Sequence, residues 1–286
     1  MMFWFKKIAN FFLFSNIFVA YCVVALCMST EFLLGYYSHT INCVVFFASL
    51  FTYNFQRLVR MRMHEEMSFR QQWLKQNKFL LWVITSFSAI ATVYFSLSLS
   101  YNSLRLLLPL GVIAFMYPLP LMFWKGRWLR LREVPGVKIF LIAFLWALVS
   151  VGLLVEEHQI GWTTDVWLLF VHRLFFVFAI SIPFDIRDLK YDSLQMKTIP
   201  TVFGEEKARY IAYTALGMYE LLVIVQFIFG DIIGVRALIA LLCTSAATAY
   251  LLIKSTSDKG EYHFAFWVEG ASALMYLLLM TWLFFF

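Results

Sequence analysis

The chain has 286 residues, of which 62% are hydrophobic, 20% aromatic and 14% charged, with a mean hydropathy of +0.78. Soluble globular domains run at about 45–50% apolar and about 25% charged, so the composition excludes one of those, together with a disordered chain, a coiled coil and a secreted disulfide scaffold. The net charge of +6 does not point to a nucleic-acid partner, because basic residues of a membrane protein collect in the segments that stay in the cytoplasm.

Crossing about 30 Å of hydrocarbon takes roughly 20 helical residues, and nine apolar stretches approach that length. In chain order they run 11–28, 36–54, 79–99, 104–124, 139–155, 162–184, 210–229, 232–253 and 264–286. They are apolar all round rather than alternating, which selects helices over barrel strands. The expectation is an all-α polytopic membrane protein with nine transmembrane helices in a single transmembrane domain, 1–286. The first stretch has a basic start and an apolar run like a signal peptide, but no small-x-small cleavage site, and is predicted to remain as a span. Cys22, Cys27, Cys43 and Cys243 fall within or at the edge of apolar runs without a CxxC spacing, and read as packing residues.

With the N-terminus inside, all but three of the 23 basic residues fall on the inner side; the exceptions are Arg105, Arg173 and Arg236. The positive-inside rule fixes that orientation, in a bacterial-type inner (cytoplasmic) membrane with the N-terminus and the long loops cytoplasmic. Neither Gly nor Pro occurs between Gly35 and Pro109, so 55–78 is predicted to continue as a helical cap at the interface, with a second cytoplasmic cap at 185–209.

Asp185, Asp188 and Asp192 at the inner end of the sixth span fall within about 60° of one another at roughly 100° per residue, if the helix continues. Three carboxylates on one face suit Mg²⁺, which takes one or two carboxylates and shares itself with a substrate phosphate. The bland alternative is a solvated acidic helix end with Arg187 and Lys190 as local partners.

The stretch from Asp185 to Asp192, followed by Lys197-Thr198-Ile199-Pro200-Thr201-Val202-Phe203-Gly204, resembles the second aspartate-rich motif of UbiA-type intramembrane prenyltransferases. Tyr117-Pro118-Leu119-Pro120-Leu121 is similar to the family's Tyr-x-x-Pro-Leu turn, and the count of nine helices agrees. The resemblance implies binding of an isoprenyl diphosphate through Mg²⁺, ionisation, and transfer of the prenyl group to an aromatic or lipid acceptor. The family's first motif, Asn-x-x-x-Asp-x-x-x-Asp, reads here Asn54-Phe-Gln-Arg-Leu58-Val-Arg-Met-Arg62, so both of its aspartates are absent and Arg57, Arg60 and Arg62 crowd the place. The glycine expected between Asp192 and Thr198 is also missing.

Guanidinium groups can replace one Mg²⁺, since arginine grips phosphate oxygens in a bidentate fork and stabilises departing negative charge. They can equally form a basic collar favoured by topology and anionic lipid. What the resemblance implies is a membrane prenyltransferase in which Asp185, Asp188 and Asp192 hold Mg²⁺ and act in catalysis. Asn54, Arg57 and Arg60 would contact the diphosphate, with Lys190, Lys197 and Tyr117 as further substrate-binding residues. The partners would be an isoprenyl diphosphate, a lipophilic acceptor and membrane lipid, with no nucleic acid. The rival is a non-catalytic protein of the same fold that binds a lipid or a membrane partner.

Ionisable groups within spans default to functional hypotheses. Arg173 and Glu220 lie at similar depth on consecutive spans and are expected to form a buried pair that fixes helix register, with His172 as a packed interior residue. Glu269, about one turn inside the ninth span, faces either the inner cavity or the headgroups. Tyr53 and Tyr94, with Tyr117, are candidates for a tunnel lining. The orientation is checked by single cysteines in a cysteine-free chain: a membrane-impermeant maleimide applied to intact spheroplasts is expected to label position 231 and to reach position 259 only after permeabilisation. The reverse pattern would invert the topology.

Overall fold

The computed structural model describes residues 2–59, 69–124, 127–134, 136–189 and 197–285. An N-terminal helix α1 (Met2–Phe14) exposes Trp4, Ile8 and Phe12 at four-residue spacing, the stripe of a helix lying in the headgroup layer. Two residues separate it from α2 (Ile17–Leu34), because Asn16 takes the left-handed conformation at φ 62°. Asparagine tolerates that region better than most residues. The apolar run expected to start a span at residue 11 is therefore two helices, divided at Ser15-Asn16.

Next come α3 (His39–Val59), the short α4 (Phe69–Gln76), α5 (Lys78–Ser96) and α6 (Tyr101–Met116). The fourth span, expected to reach residue 124, ends eight residues early. Pro118 and Pro120 lack the N–H that a helix needs, and the chain turns into an antiparallel hairpin of β1 (Pro120–Trp124) and β2 (Arg127–Arg130). Beyond it α7 (Val137–Ala147) passes through a π-helical turn, Leu148–Gly152, into α8 (Leu153–Glu157) as one rod. Helix α9 (Thr164–Asp188), the short α10 (Ile199–Phe203), α11 (Glu205–Phe229) and α12 (Val235–Ile253) come after it. A second π-helical turn, His263–Val268, leads into α13 (Glu269–Phe285).

Among the described residues, seven helical segments are long and apolar enough to cross a membrane. Of the other two expected spans, α6 has 16 residues, and α3 has 21 but carries Asn42, Asn54, Gln56 and Arg57.

Helix α9 lies at the centre, packed against α11 and the α7–α8 rod. In lipid, where apolar burial does not by itself drive helix association, small side chains that allow close approach take over. The buried face of α11 accordingly carries Ala208, Ala212 and Ala215 before Leu216, Tyr219 and Val223. The short connections at one end of the bundle are tied by carboxylates. Glu31 accepts from the Ser38 N–H at 2.9 Å and from Asn42 Nδ2, Glu157 accepts from the Ser100 N–H at 3.0 Å, and Asp165 accepts from Gln226 Nε2 and the Asp231 N–H, both at 3.2 Å.

The expected pair of Arg173 with Glu220 does not form. Arg173 is fully buried and points to α2 and α13 instead, donating to Ser29 Oγ at 2.8 Å, Thr30 Oγ1 at 3.1 Å and Met275 Sδ at 2.9 Å. The residue of α11 that faces α9 is Tyr219, its ring 5.5 Å from His172 and 5.3 Å from Phe176, which turns Glu220 away by about 100°. His172 is fully buried, as expected of a packed residue. Arg173 has no carboxylate partner among the described residues, and both hydroxyls it touches also bond the Leu26 carbonyl. Replacing a buried charge by an apolar side chain of similar length is often neutral or stabilising. Arg173→Met is thus expected to change unfolding stability in detergent by less than about 1 kcal/mol or to raise it, and a loss above about 3 kcal/mol would contradict this account.

Candidate functional site

The C-terminal end of α9 carries Asp185 and Asp188 one turn apart, as the spacing predicts. Carboxylates at a helix C-terminus oppose the negative end of the helix dipole, so each needs a cation. Lys138, the second residue of α7, forms an ion pair with Asp185 through its Nζ. Arg187 Nε holds Asp188 at 2.8 Å, while its guanidinium lies 5.3 Å from the Phe184 ring and 5.9 Å from that of Phe264. Helix α9 ends at Asp188. Asp192, Arg60 and Lys190, all expected at this site, lie outside the described residues.

From Arg187 a chain of polar contacts crosses the mouth of the bundle. Arg187 Nη1 reaches Glu261 Oε2 at 3.4 Å, and Arg70 Nη1 reaches the same oxygen at 3.8 Å. Arg70 Nη2 donates to Asn16 Oδ1 at 2.9 Å, Asn16 Nδ2 to Asn54 Oδ1 at 2.9 Å, and Asn54 Nδ2 to the Ser15 carbonyl at 2.9 Å. Burial lowers the pKa of Arg70 from its ordinary value, with Glu261 acting against the shift; the guanidinium stays charged. Asn54, expected to touch the diphosphate, is fully buried, and both amide atoms serve the break between α1 and α2.

These groups border a cavity of about 280 Å³ between α2, α3, α6, α7, α9 and the start of α13. Its polar end is lined by Gln56, Arg57, Arg70, Lys138, Asp185, Arg187 and Asp188, and its other end by Val23, Val45, Leu107, Leu110, Leu145 and Val149. Val149 lies eleven residues beyond Lys138 on the α7–α8 rod, or about 16 Å deeper at about 1.5 Å per residue. Tyr53 and Trp146 stand edge to face between the two ends, 6.4 Å apart.

Among the described residues the ion pairs cancel one another and leave two charged cavity-lining groups without a hydrogen-bond or ion-pair partner, Arg57 and Glu269. Glu269 thus faces the cavity, the first of the two positions its sequence context allows. Tyr117 also lines it, buried at the C-terminal end of α6, whereas Tyr94 is 68% exposed and lies elsewhere. Lys197 is exposed beside a smaller adjoining hollow that shares Lys138 and Asp185. Lys138, Arg70 and Glu261 were not legible as site residues in the sequence: the positive-inside rule already accounts for the two cations, and Glu261 stands in a polar connection without a motif.

No family sequence model and no curated protein matches the chain. Solved structures do. A UbiA homologue from Archaeoglobus fulgidus bound to GPP and Mg²⁺ superimposes with a TM-score of 0.68 over 96% of this chain and 99% of that one, at 14% identity. The chain has the UbiA fold. The same homologue bound to DMAPP and Mg²⁺ gives a TM-score of 0.64 at 13% identity, covering 97% and 100% of the two chains. The UbiA homologue from Aeropyrum pernix K1 gives 0.63 at 12% identity, covering 93% and 97%.

The described donors do not converge as an Mg²⁺ site. Asp185 and Asp188 each already hold a cation, Lys138 and Arg187, α3 brings Arg57 and Leu58 to the mouth rather than an acid, and no group of three acidic, cysteine or histidine side chains converges among the described residues.

Asn54→Ala leaves Asn16 Nδ2 and the Ser15 carbonyl buried without their partner. At about 1–3 kcal/mol for each such group, it is expected to cost roughly 2–4 kcal/mol of unfolding stability in detergent. An unchanged unfolding midpoint would remove Asn54 from this structural role.

Proposed function

We propose that this chain is a membrane prenyltransferase that moves a prenyl group from an isoprenyl diphosphate to a lipophilic acceptor at the cytoplasmic face of a bacterial-type inner membrane. The observation that carries the reading is Arg57, a guanidinium without a partner among the described residues, at the polar mouth of an otherwise apolar chamber. A diphosphate on a hydrocarbon chain has that same division. The fold supports the reading, since two structures that share it hold GPP or DMAPP.

Arg57 binds phosphate oxygens, and the guanidinium groups of Arg70 and Arg187, held in place by Glu261 and Asp188, lie behind it. As the carbon–oxygen bond breaks, the electron pair leaves with the diphosphate, and preorganised cations stabilise that charge. The prenyl chain lies along the Val45, Leu110 and Val149 wall. The faces of Tyr53 and Trp146 stabilise the allylic cation that results. The acceptor's electron pair then forms the new bond, and its proton passes to Glu269, the carboxylate that lines the same cavity. A second reading draws on the same ion-paired mouth: a protein that holds an anionic lipid and ionises nothing.

The test is binding of radiolabelled farnesyl diphosphate to the chain in nanodiscs, followed by incubation with the lipid extract of the producing cell. Arg57→Ala is expected to weaken binding roughly ten- to a hundredfold, the loss of a charge-assisted hydrogen bond, and wild type is expected to yield a labelled prenylated lipid. Binding without product favours the lipid-holding reading, and no binding by folded protein overturns both.

A further inference from the structure

The geometry points to an anion site that works without a divalent cation: Lys138 and Arg187 neutralise Asp185 and Asp188, and Arg57 takes the phosphate with Arg70 behind it. This inference rests on the proposed function only in taking an isoprenyl diphosphate as ligand.

Magnesium needs near-octahedral oxygen ligands, which a protein supplies as one or two carboxylates completed by substrate phosphate and water. Here Asp185 and Asp188 could offer only carboxylates that Lys138 and Arg187 already hold through Oδ1. An ammonium and a guanidinium would then sit beside a doubly charged ion, with Arg57 and Arg70 lining the same cavity. The guanidinium groups cannot relieve that crowding by losing a proton. A phosphate faces no such conflict, since it meets fixed cations whose carboxylate partners hold them in position.

The role of the acidic residues is thereby reversed. In a metal site a carboxylate is a ligand, and its removal abolishes binding. In this arrangement Asp185 anchors Lys138, and its removal takes a negative charge away from the anion and frees an ammonium group to reach it.

The experiment measures binding of farnesyl diphosphate and, separately, inorganic pyrophosphate to the full chain in nanodiscs, with Mg²⁺ or with EDTA, for wild type and Asp185→Asn. The expected result is equal wild-type affinity for farnesyl diphosphate in Mg²⁺ and in EDTA, and about tenfold tighter binding by Asp185→Asn. Wild-type binding that EDTA abolishes and Mg²⁺ restores overturns the metal-free site and leaves the proposed function standing. Pyrophosphate bound in EDTA while farnesyl diphosphate is not keeps the metal-free site and overturns the isoprenyl reading. Failure of both probes on wild-type protein with an intact unfolding transition overturns the two together. The wild-type comparison needs no variant, so a misfolded Asp185→Asn chain leaves the test decisive.

Discussion

A charge held inside a membrane bundle must find its counterpart within the protein, because hydrocarbon offers none. The mouth of this bundle is arranged around that requirement. Asp188, Arg187, Glu261, Arg70, Asn16 and Asn54 form a single line of contacts from the end of α9, past the start of α13 and across α4, to the break between α1 and α2. Each member fixes the next, so the left-handed turn at Asn16, the seat of α4 and the end of α9 are set by one network. Removing one partner of such a buried pair usually costs more than the pair contributes in total, which makes the line a constraint on the fold rather than a surplus of stability.

The same constraint shapes the cavity. Among the described residues, three cations and three carboxylates are joined in ion pairs at the mouth and leave one cation and one carboxylate facing the space between the helices. The shape of the site comes from the architecture: polar groups gather where α3, α7, α9 and α13 begin or end at the mouth of the bundle, and apolar groups line the helices between. The UbiA fold of the Archaeoglobus fulgidus homologue is thus kept, while the charges at its mouth are distributed differently from the aspartate-rich pattern its second motif suggests.

Much of the fold was legible because apolar length is a strong signal; the spans fell close to the helices, and Asp185 and Asp188 share a helical face as their spacing requires. Local chemistry explains the boundaries that were missed. Ser15-Asn16 inside an apolar run is weak evidence for a break until Asn54 and Arg70 are brought against it, and Pro118 with Pro120 marked the end of α6 that apolar length concealed. The pairing of Arg173 with Glu220 failed because depth was matched without the facing direction, which a single step to Tyr219 changes. Lys138 could not be found: its partner lies 47 residues away in sequence, and a lysine at the inner end of a span already has a topological reason to be there.

The π-helical turn at His263–Val268 gives the start of α13 a register that an unbroken α-helix would not have. Such a turn corresponds to one residue inserted into a helix, and it rotates the residues beyond it by about 100°. Glu269 is the first residue after it. Its exposure to the cavity is therefore a matter of chain length as much as of side-chain identity. In a relative of this protein one residue shorter in that turn, the same glutamate would be carried round toward a neighbouring helix, so a change of chemistry at the chamber could arise by deletion without any substitution.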